Sequence, residues 1–396
     1  MRILQITDAK NIKQILKDIK VDPYGIEIML PKAISCLVKI NSISNIAANI
    51  LKQEMLSLGG DVAIAKGSLT GQTKKTDCLI MGNLSQINRL IYKLHRQPFG
   101  LSNLAKELTT SINNYQKNNF NIVLGKHNFN LSKRTYIMGI INITPDSFSR
   151  DGLCKNRISE IVDYAQSLVK NGADILDIGG ESTRPEAKPI SIKEEIKRVV
   201  PIIKTLSKKI KIPISVDTYK PEVARSALDN GAVIINDIFG LRNAKMAKII
   251  AKYKAGVVIM HMKGSPLTMQ KNPIYNSVIE EIIEFLKTRI KFAIDIGVSE
   301  NKIIIDPGIG FGKALEHNLE ILKRLREFKV LGYPILVGPS RKSFIGKLLK
   351  IENPRQRIFG TAASVSLSIA NGANILRVHD VKEIKQVSKI CNSILD

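Results

Sequence analysis

No tryptophan occurs in this sequence, and aromatic residues make up only 5% of it. That leaves few platforms on which single-stranded nucleic acid could stack. The four cysteines, Cys36, Cys78, Cys154 and Cys391, are scattered, with no Cys-x-x-Cys pair. Such spacing argues against zinc sites and disulfides and for a reducing, cytoplasmic setting. No apolar run approaches the ~18 residues that span a bilayer. The opening stretch, MRILQITDAKNIK, lacks the apolar core of a secretory signal. Arg-rich blocks and basic runs interleaved with aromatics are missing as well. The net charge of +25 therefore reads as a lysine-biased surface, not as a nucleic-acid or membrane site. Such a field would still help to gather an anionic substrate.

What is present is regular alternation. With 396 residues, one large domain and one smaller one are expected. Residues 1–116 read as a small α/β module, with strands at 25–29, 61–65 and 77–81. Helical patterns lie at 43–58, 84–94 and 101–113, and 111–119 reads as a polar linker. Two short β-type runs at 121–124 and 129–131 form a hairpin. Eight apolar β-type runs follow, at 136–141, 174–178, 213–216, 233–235, 256–260, 303–305, 334–337 and 375–378. Amphipathic helical patterns separate them, with Asn171-Gly172 and Asn230-Gly231 as helix-ending pairs. Eight strands alternating with helices imply an α/β architecture, a (β/α)8 TIM barrel over 117–396. An open doubly wound sheet is the runner-up, but the first strand runs into NITPDSFS and not into a GxGxxG turn.

The residues released at the strand ends carry the chemistry. In order they are Asn142; Asp177 with GGESTRP; Asp217; Asn236 and Asp237; His261; Asp306 with PGIGFGK; Gly338 with Ser340 to Ser343; and Arg377 with His379. One such residue is an ordinary cap or turn. Eight in register would converge on one mouth of a barrel. GIGFGK is not a phosphate loop, because three residues instead of four separate its outer glycines and Ala314 follows the lysine. Its glycines would let backbone approach a flat ligand closely.

The motifs MGIINITPDSFS, LDIGGESTRP, SVDTYKPEVA, IINDI, MHMKG, IDPGIGFGK, GPSRKSFIG and RVHDV occur in this order. Together they resemble dihydropteroate synthase, the folate-pathway family that joins a pterin to 4-aminobenzoate. The resemblance runs from about residue 121 to the C-terminus. It implies a (β/α)8 barrel, a homodimer and sulfonamide inhibition. The implied substrates are 7,8-dihydropterin pyrophosphate and 4-aminobenzoate, with Mg2+ on the pyrophosphate. In this reading Asp217, Asn236, Asp306 and Lys342 bind the pterin, Asp306 as a two-oxygen partner, with Met262 as an apolar wall. Asn142 would hold the Mg2+–pyrophosphate unit, and Arg377 with His379 would clamp the anion. Phe148, Thr183, Arg184 and Pro185 would close over the aminobenzoate, and Ser343 would touch its carboxylate. The chain departs from the family at Arg150, Glu186 and Pro339. ILKQEMLSLGGDVAIAKG and KTDCLIMG resemble an N-terminal extension of some bacterial members, with no implied chemistry. A pterin-dependent methyltransferase-like protein is the alternative, sharing the barrel and the acidic pterin pocket.

Overall fold

The computed structural model describes residues 1–4, 9–143, 156–182 and 187–395, and the chain divides into two compact units, Met1–Asn113 and Asn114–Asp396. The first unit contains a three-stranded antiparallel sheet of β1 (Ser35–Ser44), β2 (Asp61–Ile64) and β3 (Lys75–Asn83), in the order β1-β3-β2. Alternation places Cys78 and Ile80 of β3 against Leu51 and Met55 of the helix Asn45–Leu56 and Ile87, Leu90 and Leu94 of the helix Leu84–Leu94. Asn83 opens the second of these helices with a capping box closed by Gln86.

Two expectations for this unit change. Residues 25–29 are not a strand. They belong to the helix Pro23–Met29, started by Asp22, whose carboxylate accepts from the Tyr24 and Gly25 N–H groups, and by Pro23 in the first turn. The third strand is instead β1, whose apolar residues Cys36, Val38 and Ile40 alternate with polar or exposed ones. Nor is 111–119 a linker throughout. The helix Leu101–Gln116 carries an apolar stripe of Leu101, Leu104, Ala105, Leu108 and Ile112, which keeps its polar C-terminal turns helical.

The second unit begins with a hairpin, β4 (Asn121–Leu124) and β5 (His127–Asn130). Eight parallel strands follow: β6 (Tyr136–Asn142), β7 (Ile175–Gly179), β8 (Ile214–Asp217), β9 (Ile234–Asp237), β10 (Gly256–Met260), β11 (Ile303–Asp306), β12 (Leu336–Val337) and β13 (Ile375–Val378). Neighbours pair in sequence order, β13 pairs with β6, and an Ile305–Ile335 bridge joins β11 to β12 and closes the ring. This is the expected (β/α)8 barrel.

Period-two alternation then sets the two faces of every strand. Outward residues such as Leu176, Ile178, Val216, Ile235 and Ile305 pack on the helices. Inward residues Met138, Ile175, Ile234, Val258, Ile304, Leu336 and Ile375 pack on Phe120, Ile122, Leu124, Phe129 and Leu131 of the hairpin and its flanks. The hairpin therefore plugs the N-terminal mouth. Gly256 admits it, because a Cβ there would lie 2.3 Å from Leu124 Cδ2. Two residues beyond four of the inward isoleucines come Asp177, Asn236, Asp306 and Arg377, raised above the plug onto the same inner face.

Leu124→Ala should remove a fully buried plug side chain at a cost of about 2–5 kcal/mol. We expect a clear drop in the midpoint of chemical denaturation, read by far-UV circular dichroism.

Candidate active site at the C-terminal mouth

Arg377 lies at the centre of the polar layer. Its Nε donates to Asp177 Oδ2 at 2.6 Å and its Nη2 to Asp217 Oδ2 at 2.7 Å. Asn236 Nδ2 donates to the same Asp177 oxygen at 3.0 Å. Strand register brings these groups together: Asp177 lies beside Ser215, and Asp217 beside Asn236. Asp177 is fully buried, and Asp217 and Asn236 nearly so. A buried ion pair this closely matched is held only while both partners remain.

These contacts leave a row of acceptors over. Asp177 Oδ1, Asp217 Oδ1, Asn236 Oδ1 and Ser215 Oγ are buried with no hydrogen-bond partner among the described residues. Each buried acceptor without a donor costs about 1–3 kcal/mol, so four together mark a place for a ligand rich in N–H groups.

Asp306 ends β11, and its Oδ1 accepts from the Gly308 N–H at 2.7 Å, which leaves Oδ2 and a second lone pair of Oδ1. Burial pushes this carboxyl up to about 6, against the Gly308 N–H and the charges of Lys342 and Lys313. Burial likewise pushes Asp217 up to about 7, with Arg377 opposing and Asp177 adding. Lys342 Nζ lies 3.9 Å from the centre of the Phe311 ring, and burial lowers its pKa to about 8. Arg341 aims this lysine. It takes a left-handed φ of 59° and is held by ion pairing to Asp380 and by Arg357 donating to its carbonyl.

Met262 is fully buried and forms an apolar wall with Ile238, Met260, Met269 and Phe311. The glycines of GIGFGK are required by the loop's own packing. A Cβ on Gly308, where φ is +73°, would lie 1.9 Å from the His261 carbonyl oxygen, and one on Gly310 2.9 Å from Lys342 Cδ. They let the loop close on its own neighbours.

Asn142 ends β6, half-buried, at the level of Gly179. His379 Nδ1 lies 3.0 Å from Ser340 Oγ, and Ser343 is exposed at the start of the helix Ser343–Leu349. Phe148, Thr183, Arg184 and Pro185 lie outside the described residues. Among the described residues, Asn142, Asp217, Asn236, Asp306, Lys342, Arg377 and His379 thus lie at the same mouth, with Arg377 committed to two carboxylates. Asp177, read from the sequence as a strand-end residue, is one of those carboxylates, while Ser215 and Phe311 join the mouth unforeseen. The inward Ile-x-polar spacing of β7 and β13 would have revealed that Asp177 and Arg377 share a layer.

A family model described as pterin binding enzyme matches residues 138–379. A dihydropteroate synthase of Clostridium beijerinckii is 47% identical over 274 residues, covering 69% of this chain and 98% of that protein. A probable bifunctional folylpolyglutamate synthase/dihydropteroate synthase of Halobacterium salinarum is 38% identical over 380 residues, 96% of this chain and 45% of that protein. That likeness extends into the N-terminal unit. Among solved structures, the dihydropteroate synthase of Xanthomonas albilineans in complex with 7,8-dihydropteroate superposes with a TM-score of 0.63 at 37% identity, covering 69% of this chain and 98% of that one.

Arg377→Ala strands two buried carboxylates and should destabilise the fold by about 3–5 kcal/mol at neutral pH. Asp217 already titrates near 7, above the ordinary carboxylate value, so the folded state takes up a proton as pH falls. Losing Arg377 raises Asp217 further. The deficit should therefore be larger at pH 8 than at pH 5, a difference that thermal unfolding at the two pH values would register.

Proposed function

We propose a reaction course for this chain from its kinship: it belongs to the dihydropteroate synthase family of pterin-binding enzymes and is a transferase of that kind. The substrates are a 7,8-dihydropterin pyrophosphate and 4-aminobenzoate, and the products dihydropteroate and pyrophosphate. The row of buried, partnerless acceptors carries this reading. A pterin offers a 2-amino group beside a ring N–H, two parallel donors that suit a carboxylate edge. Asp306 takes that edge, Asp217 and Asn236 take the remaining N–H groups, and Lys342 donates to the ring carbonyl. Met262 and Phe311 cover the ring.

The reacting carbon is a methylene bearing pyrophosphate. An aromatic amine is neutral at pH 7 and attacks without a strong base, so what the protein supplies is positioning and stabilisation of charge on the leaving group. No covalent enzyme intermediate forms. Arg377 and His379 would receive the departing anion, and the two separate segments carrying Phe148 and Thr183 to Pro185 would serve the aminobenzoate, with Ser343 at its carboxylate.

Among the described residues no three His, Cys, Asp or Glu side chains gather to cage a metal. That suits Mg2+ carried in on the pyrophosphate, since this ion keeps waters and phosphate oxygens and needs few protein ligands. Asn142 would hold it, and the ion would supply charge neutralisation at the leaving group.

The chain acts as a homodimer. Exposed apolar side chains Leu348, Leu349, Phe359, Leu367, Ile390 and Ile394 lie on the neighbouring helices Ser343–Leu349, Ile358–Ala370 and Val381–Leu395, with Phe359 84% exposed. An apolar raft of this kind marks a contact surface. No helix among the described residues is long and apolar enough to cross a membrane.

The deciding experiment supplies Mg2+ and 7,8-dihydropterin pyrophosphate with and without 4-aminobenzoate and follows pyrophosphate. Release that requires 4-aminobenzoate and yields dihydropteroate is expected, and bound pterin without turnover would sink the reading. Asp306→Asn, which swaps a two-acceptor edge for a mixed one, should weaken pterin binding about 100-fold, on the scale of a charged hydrogen bond of about 1.5–3 kcal/mol. Phe359→Asp combined with Leu367→Asp should shift the mass measured by light scattering from two chains to one. A two-chain mass retained by that variant would place the dimer contact elsewhere.

A further inference from the structure

One buried cation at this mouth has no part in the reaction course. Lys313 is 2% exposed, yet no carboxylate oxygen lies within salt-bridge reach of its Nζ among the described residues. The ammonium instead donates to the Phe311 carbonyl at 2.9 Å, to His261 Nδ1 at 3.0 Å and to the His261 carbonyl at 3.3 Å. Three acceptors match the three N–H groups of the charged form, and a neutral amine could serve only two. His261 is held neutral, pushed far below its ordinary range by burial and by the nearby charges of Lys313, Arg242 and Lys263. Its Nδ1 accepts, so the ring proton sits on Nε2.

Both ends of this clamp belong to the pterin pocket. His261 immediately precedes Met262 of the apolar wall, and Phe311 carries the ring beneath Lys342. Gly308 has no room for a side chain between them, because a Cβ there would also lie 3.3 Å from Lys313 Nζ. Charge fits the same picture. Asp177, Asp217 and Asp306 crowd the mouth, and Arg377 is the cation ion-paired with the first two among the described residues. Burial lowers Lys313 to about 7, with Asp306 opposing and Lys342 adding, so its charged form prevails on the acid side. There Asp306, near 6, takes up its proton, and Lys342, Lys313 and Arg377 favour its ionised form. Asp217 answers to a different set: Arg377, Asp177, Glu195 and Lys342.

We propose that Lys313 is a positioning residue of the pterin pocket, clamping the His261–Met262 and Phe311 backbones while its ammonium keeps the Asp306 carboxylate ionised for the pterin's N–H edge. The ammonium is the third cation against three carboxylates, placed where it compensates Asp306 without occupying the oxygens the ligand needs. Lys342 cannot replace it, because that lysine donates to the ligand itself. The inference rests on the pocket assigned under the proposed function.

The test titrates 6-hydroxymethylpterin against the full-length protein by fluorescence between pH 5 and pH 8. Removing a positive charge beside Asp306 raises its pKa, so the acid limb of binding should move to higher pH in Lys313→Met. A shift of about one unit means about ten-fold weaker binding on that limb, with the difference closing towards pH 8. Lys313→Gln, which keeps two N–H donors without charge, should shift in the same way and serves if the methionine variant fails to fold. Lys313→Arg, which keeps the charge, should restore the wild-type limb. An unmoved limb in a folded uncharged variant overturns the electrostatic role, and equal weakening at every pH overturns it in favour of packing alone. Failure of the wild-type protein to bind the probe would overturn the pocket itself, and this inference with it.

Discussion

The bond between Arg377 and the carboxylates of Asp177 and Asp217 is the constraint on which the rest of the mouth depends. Three strands contribute one charge each, and none of these charges could be buried alone. Born-type desolvation of a lone carboxylate far exceeds any packing gain, so the three must arrive together and in register. The barrel guarantees that arrival, because each strand is fixed by hydrogen bonds to both neighbours. Asn236 and Ser215 then fall into place from the same registers. A polar layer so arranged is held in place by its ion pairs, and its remaining acceptors stay buried without a donor.

Beneath it lies the opposite kind of order. The seven inward apolar residues and the hairpin form a dry floor, so the electrostatics above act over a low-dielectric base. The same strands serve both layers, with the change made in a single step of two residues. Floor and site are thus one alternating pattern read at two heights.

That pattern explains what could be read from the chain alone. The barrel was legible because eight β-type runs alternate with amphipathic helices, and the polar residues of its mouth because they end those runs. Asp177 was legible as a strand-end residue, but not its pairing, since Arg377, which with Asn236 makes its burial tolerable, lies far along the chain. The N-terminal unit was harder still. Its helix Pro23–Met29 is a seven-residue segment with β-prone Ile26 and Ile28, and a single capping aspartate decides its conformation. Its strand β1 hides among serines and asparagines because one of its faces is open to solvent. For the GIGFGK glycines, close approach could be inferred from composition, whereas the chain neighbours they approach, the His261 carbonyl and Lys342, could not.

The pairing of β6 with β13 has a consequence for how the molecule comes into being. These strands carry residues near 140 and near 376, so closing the ring joins distant parts of the chain. Contacts of such separation are slow to form and, during synthesis, must wait for the last strand to emerge. Until then β6 offers an unpaired edge, and the inner carboxylates stand in water without Arg377. The N-terminal unit has its own sheet and core, built from residues of the first third of the chain. The order of synthesis therefore separates an early, self-sufficient piece from a barrel whose chemistry is assembled all at once, by its final strand.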